Sequence, residues 1–215
     1  NNKQGRPDTP DTARRRIIMR LVVLLAALSW ALSGCSGMGM GFPSTPGAFL
    51  DAPEGKTFEP IDTLDPRNAM VYIYRPVTRW GYEEVQAPVF FLDATQLFGL
   101  KAGAYTWLEL PAGNHDFYAR RPLSVLYLKM VFEMDLKIEG GQDYYFRYSE
   151  LKPLDMEEIV ANPEDYQQAG PLQQVPKAIA MREIADLRLD EAGVYYAGKD
   201  TKAPRWAPFY TYSVD

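Results

Sequence analysis

His115 is the one histidine of the chain and Cys35 its one cysteine, and these two residues limit the chemistry on offer. A nucleophilic triad needs a base. The sole candidate, His115, stands beside Asp116 after a turn, and no Gly-x-Ser-x-Gly elbow accompanies it. It reads as a turn or half-buried structural residue. Zinc needs several nitrogen or sulfur ligands, more than this chain supplies. The carboxylate pairs Glu83 with Glu84 and Glu157 with Glu158 bring a glycosidase to mind. Neighbours in sequence point in different directions on a strand or a helix, so both pairs read as solvated faces. Glu133, Asp135 and Asp143 lack the spacing of a calcium loop. The expectation is a protein that is not an enzyme and carries no metal or other cofactor.

Cys35 offers a different chemistry. Arg14, Arg15, Arg16 and Arg20 precede an apolar run from Leu21 to Leu32, and small residues follow. That order is the n-region, h-region and cleavage site of a secretory signal. About a dozen apolar residues are too few for a membrane-spanning helix, which needs roughly 20. Leu32-Ser33-Gly34-Cys35 looks like the bacterial lipobox. The expected cut falls between Gly34 and Cys35, with diacylglycerol and palmitate on the cysteine. Lipidation would leave neither a free thiol nor a disulfide. Met19 with Arg20 makes a complete short n-region and reads as the true start. The arginine triplet hints at twin-arginine export, but ordinary secretion fits better. Ser36 follows the cysteine where an aspartate would retain many diderm lipoproteins in the inner membrane. The expected location is the cell envelope, lipid-anchored, at the outer membrane facing the periplasm if the host is diderm.

Six of the 23 basic residues and two of the 28 acidic ones lie ahead of Cys35, leaving 17 and 26 after it. A part this acidic has no electrostatic footprint for nucleic acid. Its membrane attachment must come from lipid, and two or more acyl chains anchor stably where one does not. Residues 35–68 then read as a lipidated tether, since Gly37, Gly39, Gly41, Pro43, Pro46, Gly47, Pro53, Gly55, Pro60 and Pro66 punctuate it without a sustained period. Such a chain has a root-mean-square reach of about 30 Å. The alternative is a belt packed on the domain.

Residues 69–150 read as a β-sandwich domain. Strands are expected at Met70–Arg75, Pro88–Asp93, Tyr105–Leu110 and His115–Arg120, each rich in β-branched or aromatic residues, with a turn at Pro111, Ala112, Gly113 and Asn114. In Leu128–Glu139 the residues Leu128, Met130, Phe132, Met134, Leu136 and Ile138 alternate with mainly charged ones. One buried and one wet face follow. Gly140-Gly141-Gln142-Asp143 then suggests a hairpin with Tyr144–Ser149.

Residues 151–215 read as a helical appendage with an aromatic tail. Asp155–Ala161 is a candidate short helix with Asp155 and Glu158 as a capping box. Asn162 and Pro163 offer a second start. Pro176–Glu191 is the best helix, bringing Met181, Ile184, Ala185 and Leu187 to one side, with Gly193 as its stop. Strands first and helices last argue a mainly β fold, an antiparallel sandwich or partial barrel with a small C-terminal helical appendage.

The runs Ala69-Met-Val-Tyr-Ile-Tyr-Arg-Pro76, Val89-Phe-Phe-Leu-Asp93, Phe98-Gly-Leu100, Gly103-Ala-Tyr105, Leu110-Pro-Ala-Gly-Asn-His115 and Gly141-Gln-Asp-Tyr-Tyr145 together resemble an uncharacterised family of small bacterial lipoprotein domains of unknown function. They are also similar to PEGA-type β-domains, in which a Pro-Gly-His hairpin recurs. The resemblance covers Ala69 to Ser149 and rests on turn signals, so it implies a fold more than a function. Ala112 inside the Pro-Gly turn departs from the pattern, and the last third of the chain lies outside it.

Exposed aromatics remain. Trp80 and Tyr82 follow the first strand, and Trp206, Phe209, Tyr210 and Tyr212 close the chain. They either cap the core or form a platform for a partner, since flat rings give contact area at little entropy cost. The implied function is a membrane-anchored envelope lipoprotein with a non-catalytic interaction or scaffolding domain whose partners are envelope proteins. The alternative is a cell-wall or carbohydrate-binding lipoprotein using those aromatics.

Overall fold

The computed structural model describes residues 46–124, 127–151, 153–190, 193–196 and 209–212. In chain order the elements are β1 (Asn68–Arg75), α1 (Arg79–Tyr82), β2 (Val89–Leu92), β3 (Thr95–Gly99), β4 (Ala104–Pro111), β5 (Gly113–Ser124), β6 (Tyr127–Ile138), β7 (Asp143–Tyr148), β8 (Gln168–Ala169), β9 (Leu172–Gln174), α2 (Lys177–Ile184), β10 (Arg188–Leu189), β11 (Gly193–Tyr196) and β12 (Phe209–Tyr212). The smaller sheet runs β3-β2-β5-β6, and the larger β12-β11-β4-β1-β7-β9-β8, with β10 also on β4. The fold is the expected mainly β sandwich with a small helix.

Every strand expected before Glu150 forms, within two or three residues at most ends, but the pairing differs from expectation. β6 pairs antiparallel with β5, Gly113 opposite Ile138 and Phe117 opposite Met134. β7 lies parallel to β1, Met70 opposite Asp143 and Tyr74 opposite Arg147. The proposed hairpin of β6 with β7 is therefore a crossover between sheets. The reason lies in their faces. β6 is charged on one side and suits a sheet with a wet face. β7 buries Phe146 and Tyr148 on one side and Tyr145 on the other, so it needs an inner place in a sheet covered on both faces. Glycine makes the crossover, because a Cβ on Gly140 would stand 2.1 Å from the Arg67 carbonyl oxygen.

Two cores result. Between the sheets lie Val71, Ile73, Leu108, Leu136 and Phe146 around Phe90, whose ring centroid is 5.4 Å from that of Phe98, 5.7 Å from Phe117 and 5.5 Å from Tyr148. On the outer face of the larger sheet, Met70, Tyr72, Tyr74, Trp107 and Tyr145 pack under Ala180 and Ile184 of α2. β6 buries Phe132, Leu136 and Ile138 as its alternation predicts, yet Met130 stands 39% exposed. The register slips there, Ala119 facing Phe132 and Arg120 facing Met130, so Val131 is an extra residue that turns toward the core. The Leu128 side chain lies outside the described ones.

Residues 46–67, expected as part of the tether, are instead a belt across the outer face. Phe58 packs edge-on against Tyr72 at 5.3 Å and Tyr105 at 5.2 Å, and the Ile61 amide donates to the Tyr72 hydroxyl at 2.9 Å. The belt covers aromatic rings that the sheet alone would leave wet. Residues 36–45 of the proposed tether lie outside the described residues.

Past Glu150 the chain adds strands as well as a helix. Asp155–Ala161 makes only a turn, Asp155 accepting from the Glu157 amide at 3.2 Å rather than closing a capping box. Pro163–Asp165 is one 3-10 turn. The helix expected over Pro176–Glu191 stops at Ile184, and Arg188–Leu189 pair with β4 as β10. Ala185 is exposed, while Leu187 is buried by the strand that follows. In the tail, Phe209–Tyr212 pair with β11 at the edge of the larger sheet, where proline just before a strand is tolerated.

Candidate functional site

At the end of the sandwich where β1 finishes, four charged side chains from different elements meet. Val71 and Ile73 point between the sheets, so Arg75, two further on, does too. Its Nη2 donates to Glu84 Oε2 at 3.0 Å and to Glu150 Oε2 at 3.0 Å, its Nη1 to the Leu100 carbonyl at 3.2 Å and to Glu84 Oε1. Arg121 Nη2 donates to Glu84 Oε2 at 2.8 Å and to Glu150 Oε1. The Tyr148 hydroxyl donates to Glu150 Oε1 at 2.8 Å. Arg75 and Glu84 are almost fully desolvated, at 3% and 5% side-chain exposure. Burial works against the Arg75 charge, but Glu84 and Glu150 more than offset it and hold the guanidinium pKa above its usual value. Burial, with the Glu150 charge, pushes the Tyr148 phenol well above the ordinary range. Each carboxylate accepts from both arginines, so neither glutamate is placed to act as a free base.

Above this network sits α1. The Arg121 guanidinium lies 5.0 Å from the Trp80 ring centroid, and the Gly81 amide donates to Thr78 Oγ1 at 3.0 Å. Trp80 and Tyr82 are 54% and 47% exposed, so these two do not cap the core. Of the two carboxylate pairs, Glu84 is buried in the network and Glu83 pairs with exposed Arg79, while Glu157 and Glu158 face solvent.

His115 stands at the opposite end. Its Nδ1 lies 3.0 Å from Asp93 Oδ2 and its Nε2 3.1 Å from the Pro111 carbonyl oxygen. Both ring nitrogens face acceptors within the protein. Asp93 also accepts from the Asp116 amide at 3.0 Å, fixing a β2–β3 turn in which Asp93 and Ala94 have φ of +47° and +64°. The arrangement is a strut for a left-handed turn.

Two further buried groups tie the belt and the late strands down. Lys101 Nζ lies 2.8 Å from both Asp51 Oδ2 and Asp190 Oδ1. Burial raises the Asp190 pKa against the opposing pull of Lys101. Glu109 accepts from the Leu64 and Asp65 amides at 2.9 and 3.0 Å and from Asn68 Nδ2 at 2.9 Å. A groove of about 690 Å³ beside α2 is lined by Leu154, Ile159, Ile179 and Glu183 among others. Among the described residues no group of three or more His, Cys, Asp or Glu could hold a metal, and no helix is long and apolar enough to cross a membrane. Gly34, Cys35 and Trp206 lie outside the described residues. Phe209, Tyr210 and Tyr212 are placed by their backbone pairing alone, opposite Tyr196, Tyr195 and Gly193.

Fold and site together define a β-sandwich domain whose buried ionisable groups join strands to loops. Residues 65–162, from the approach to β1 through β7 and the turn beyond it, match the family model "Protein of unknown function (DUF2846)". No curated protein and no solved structure matches the chain.

Proposed function

We propose that the protein is a bacterial envelope lipoprotein, anchored by lipid on Cys35, whose β-domain is a non-catalytic docking module for other envelope proteins. The observation that carries the reading is Leu32-Ser33-Gly34-Cys35 directly behind an arginine-led apolar run of h-region length. The resemblance to lipoprotein β-domains, including those of PEGA type, agrees with it. So does the use of the buried ionisable groups: Arg75, Glu84, Lys101, Glu109 and His115 are each engaged in holding elements together. A catalytic site would keep such a group free to face substrate.

Capture of the lipidated chain from detergent-solubilised membranes tests the docking role. Stoichiometric protein partners support it. Retention on peptidoglycan instead favours the carbohydrate or wall-binding reading, for which the exposed pair Trp80 and Tyr82 is the specific feature. In a diderm host the chain should fractionate with the outer membrane, and co-sedimentation with inner-membrane markers would refute that placement.

A further inference from the structure

The large apolar side chains that remain wet are not scattered. Of the ten exposed among the described residues, seven lie where β1 ends, and Phe49, Leu50, Trp80, Tyr82, Val85 and Leu151 are between 47% and 63% exposed. They are neighbours in space. The Gly47 amide donates to the Val85 carbonyl at 2.7 Å, and the Leu50 amide to that of Gly47 at 3.0 Å. Trp80 stacks on Arg121, which is tied to Glu150, the residue before Leu151. At the opposite end Leu64 is exposed. A cluster of exposed large apolar side chains of this kind marks an interaction site.

The chain enters the domain in the middle of this rim. Pro46 bridges to Gln86, and ten residues, Ser36–Thr45, separate it from Cys35. The eleven steps from Cys35 to Pro46 extend to at most about 40 Å, with a root-mean-square span of about 18 Å for a flexible chain of that length. The opposite end lies further off by the length of β6, whose 12 residues span about 36 Å. The root-mean-square span is about half the length of β6, so a lipid on Cys35 favours the rim over the His115 end as the part beside the bilayer.

We propose that this end of the sandwich docks on the bilayer that carries the Cys35 lipid, its apolar rim entering the interfacial region. The proposal rests on the lipid-anchor reading. Tryptophan and tyrosine suit a boundary with one wet and one apolar side. The rim's cations are paired, Arg79 with Glu83 and Lys101 with both Asp51 and Asp190, leaving no basic excess that calls for anionic lipid, so zwitterionic lipid suffices. The network of Arg75, Glu84, Arg121 and Glu150 is then the rigid base of the docking face.

The test uses the full mature chain in two arms. In the first, Leu50→Cys, Tyr82→Cys and Leu64→Cys chains are purified from membranes, labelled with an environment-sensitive fluorophore and placed in phosphatidylcholine vesicles bearing a headgroup-depth quencher. Quenching several-fold stronger at positions 50 and 82 than at 64 is expected. Equal quenching at all three, or none at 50 and 82, overturns the docking face, as it would if the rim met a protein partner instead. The mass of the Cys35 peptide from the same samples reads the anchor separately, so an unacylated peptide overturns that reading alone. The second arm needs no lipid on the protein. A mature-length Cys35→Ser chain, residues 35–215 without the apolar leader, should co-sediment with the vesicles at least ten-fold more than one also carrying Phe49→Ser, Leu50→Ser and Val85→Ser. Equal sedimentation, or none by either, overturns the face whatever the first arm finds.

Discussion

Replacing Arg75 with methionine removes the guanidinium that satisfies Glu84 and Glu150 together while keeping a side chain of similar reach. Glu84, at 5% exposure, is left with Arg121 as its one charged partner, and the Leu100 carbonyl loses its donor. Breaking a buried pair from one side costs about 3 to 5 kcal/mol, because the stranded charge stays desolvated. Arg79, 92% exposed and paired with Glu83, is the matched control, and Arg79→Ala should cost well under about 1 kcal/mol. Urea unfolding followed through Trp107, a fully buried ring, measures both. The double variant Arg75→Met with Glu84→Leu removes the stranded charge and should recover much of the loss. Glu150 then keeps Arg121. If Arg75→Met costs no more than Arg79→Ala, or if adding Glu84→Leu deepens the loss by its full separate amount, the network is not a desolvated tie and the reasoning fails.

Two further outcomes follow from the core and the phenols. Phe132→Ala should cost about 3 to 5 kcal/mol as a large-to-small change in the core, whereas Met130→Ala, beyond the bulge, and Glu133→Ala, on the wet face, should each lower the melting temperature little. Comparable shifts for Phe132 and Met130 would place the bulge elsewhere. Burial pushes the Tyr145 phenol up to about 12, and those of Tyr72, Tyr74 and Tyr148 higher still. The folded state thus holds protons that the unfolded chain releases near pH 10, so this stability is intact below that pH and is lost as pH rises toward 12. Melting temperatures should stay level from pH 7 to 9 and fall beyond 10, with a shallower fall in Tyr145→Phe. An unchanged slope in that variant would remove the phenol from the account.

Alternation carried the individual strands. Met-Val-Tyr-Ile-Tyr from 70 to 74 and the charged face of 129–139 each fix a period of two, and that period survives folding wherever one face meets a core. Pairing order did not show, because the partner of Met70–Tyr74 is more than 70 residues away at Asp143–Arg147, and no local turn encodes a parallel neighbour. The belt escaped for a related reason: Phe58 and Ile61 are isolated apolar residues in a Pro- and Gly-rich run, and only the aromatic outer face of β1 and β4 gives them a place. The Arg75 network left one readable sign, an arginine at the inward parity of Val71 and Ile73, which requires buried counter-charge. Nothing in the spacing named Glu84, which adjoins the exposed Glu83 and is indistinguishable from it by pattern.

The central claim is that Cys35 carries lipid and thereby fixes where this domain works. Cells expressing the chain and its Cys35→Ala variant are fed labelled palmitate, and the label in each purified protein is counted. Label on the wild type and none on Cys35→Ala is the predicted result. Equal label on both, or none on the wild type, contradicts the account.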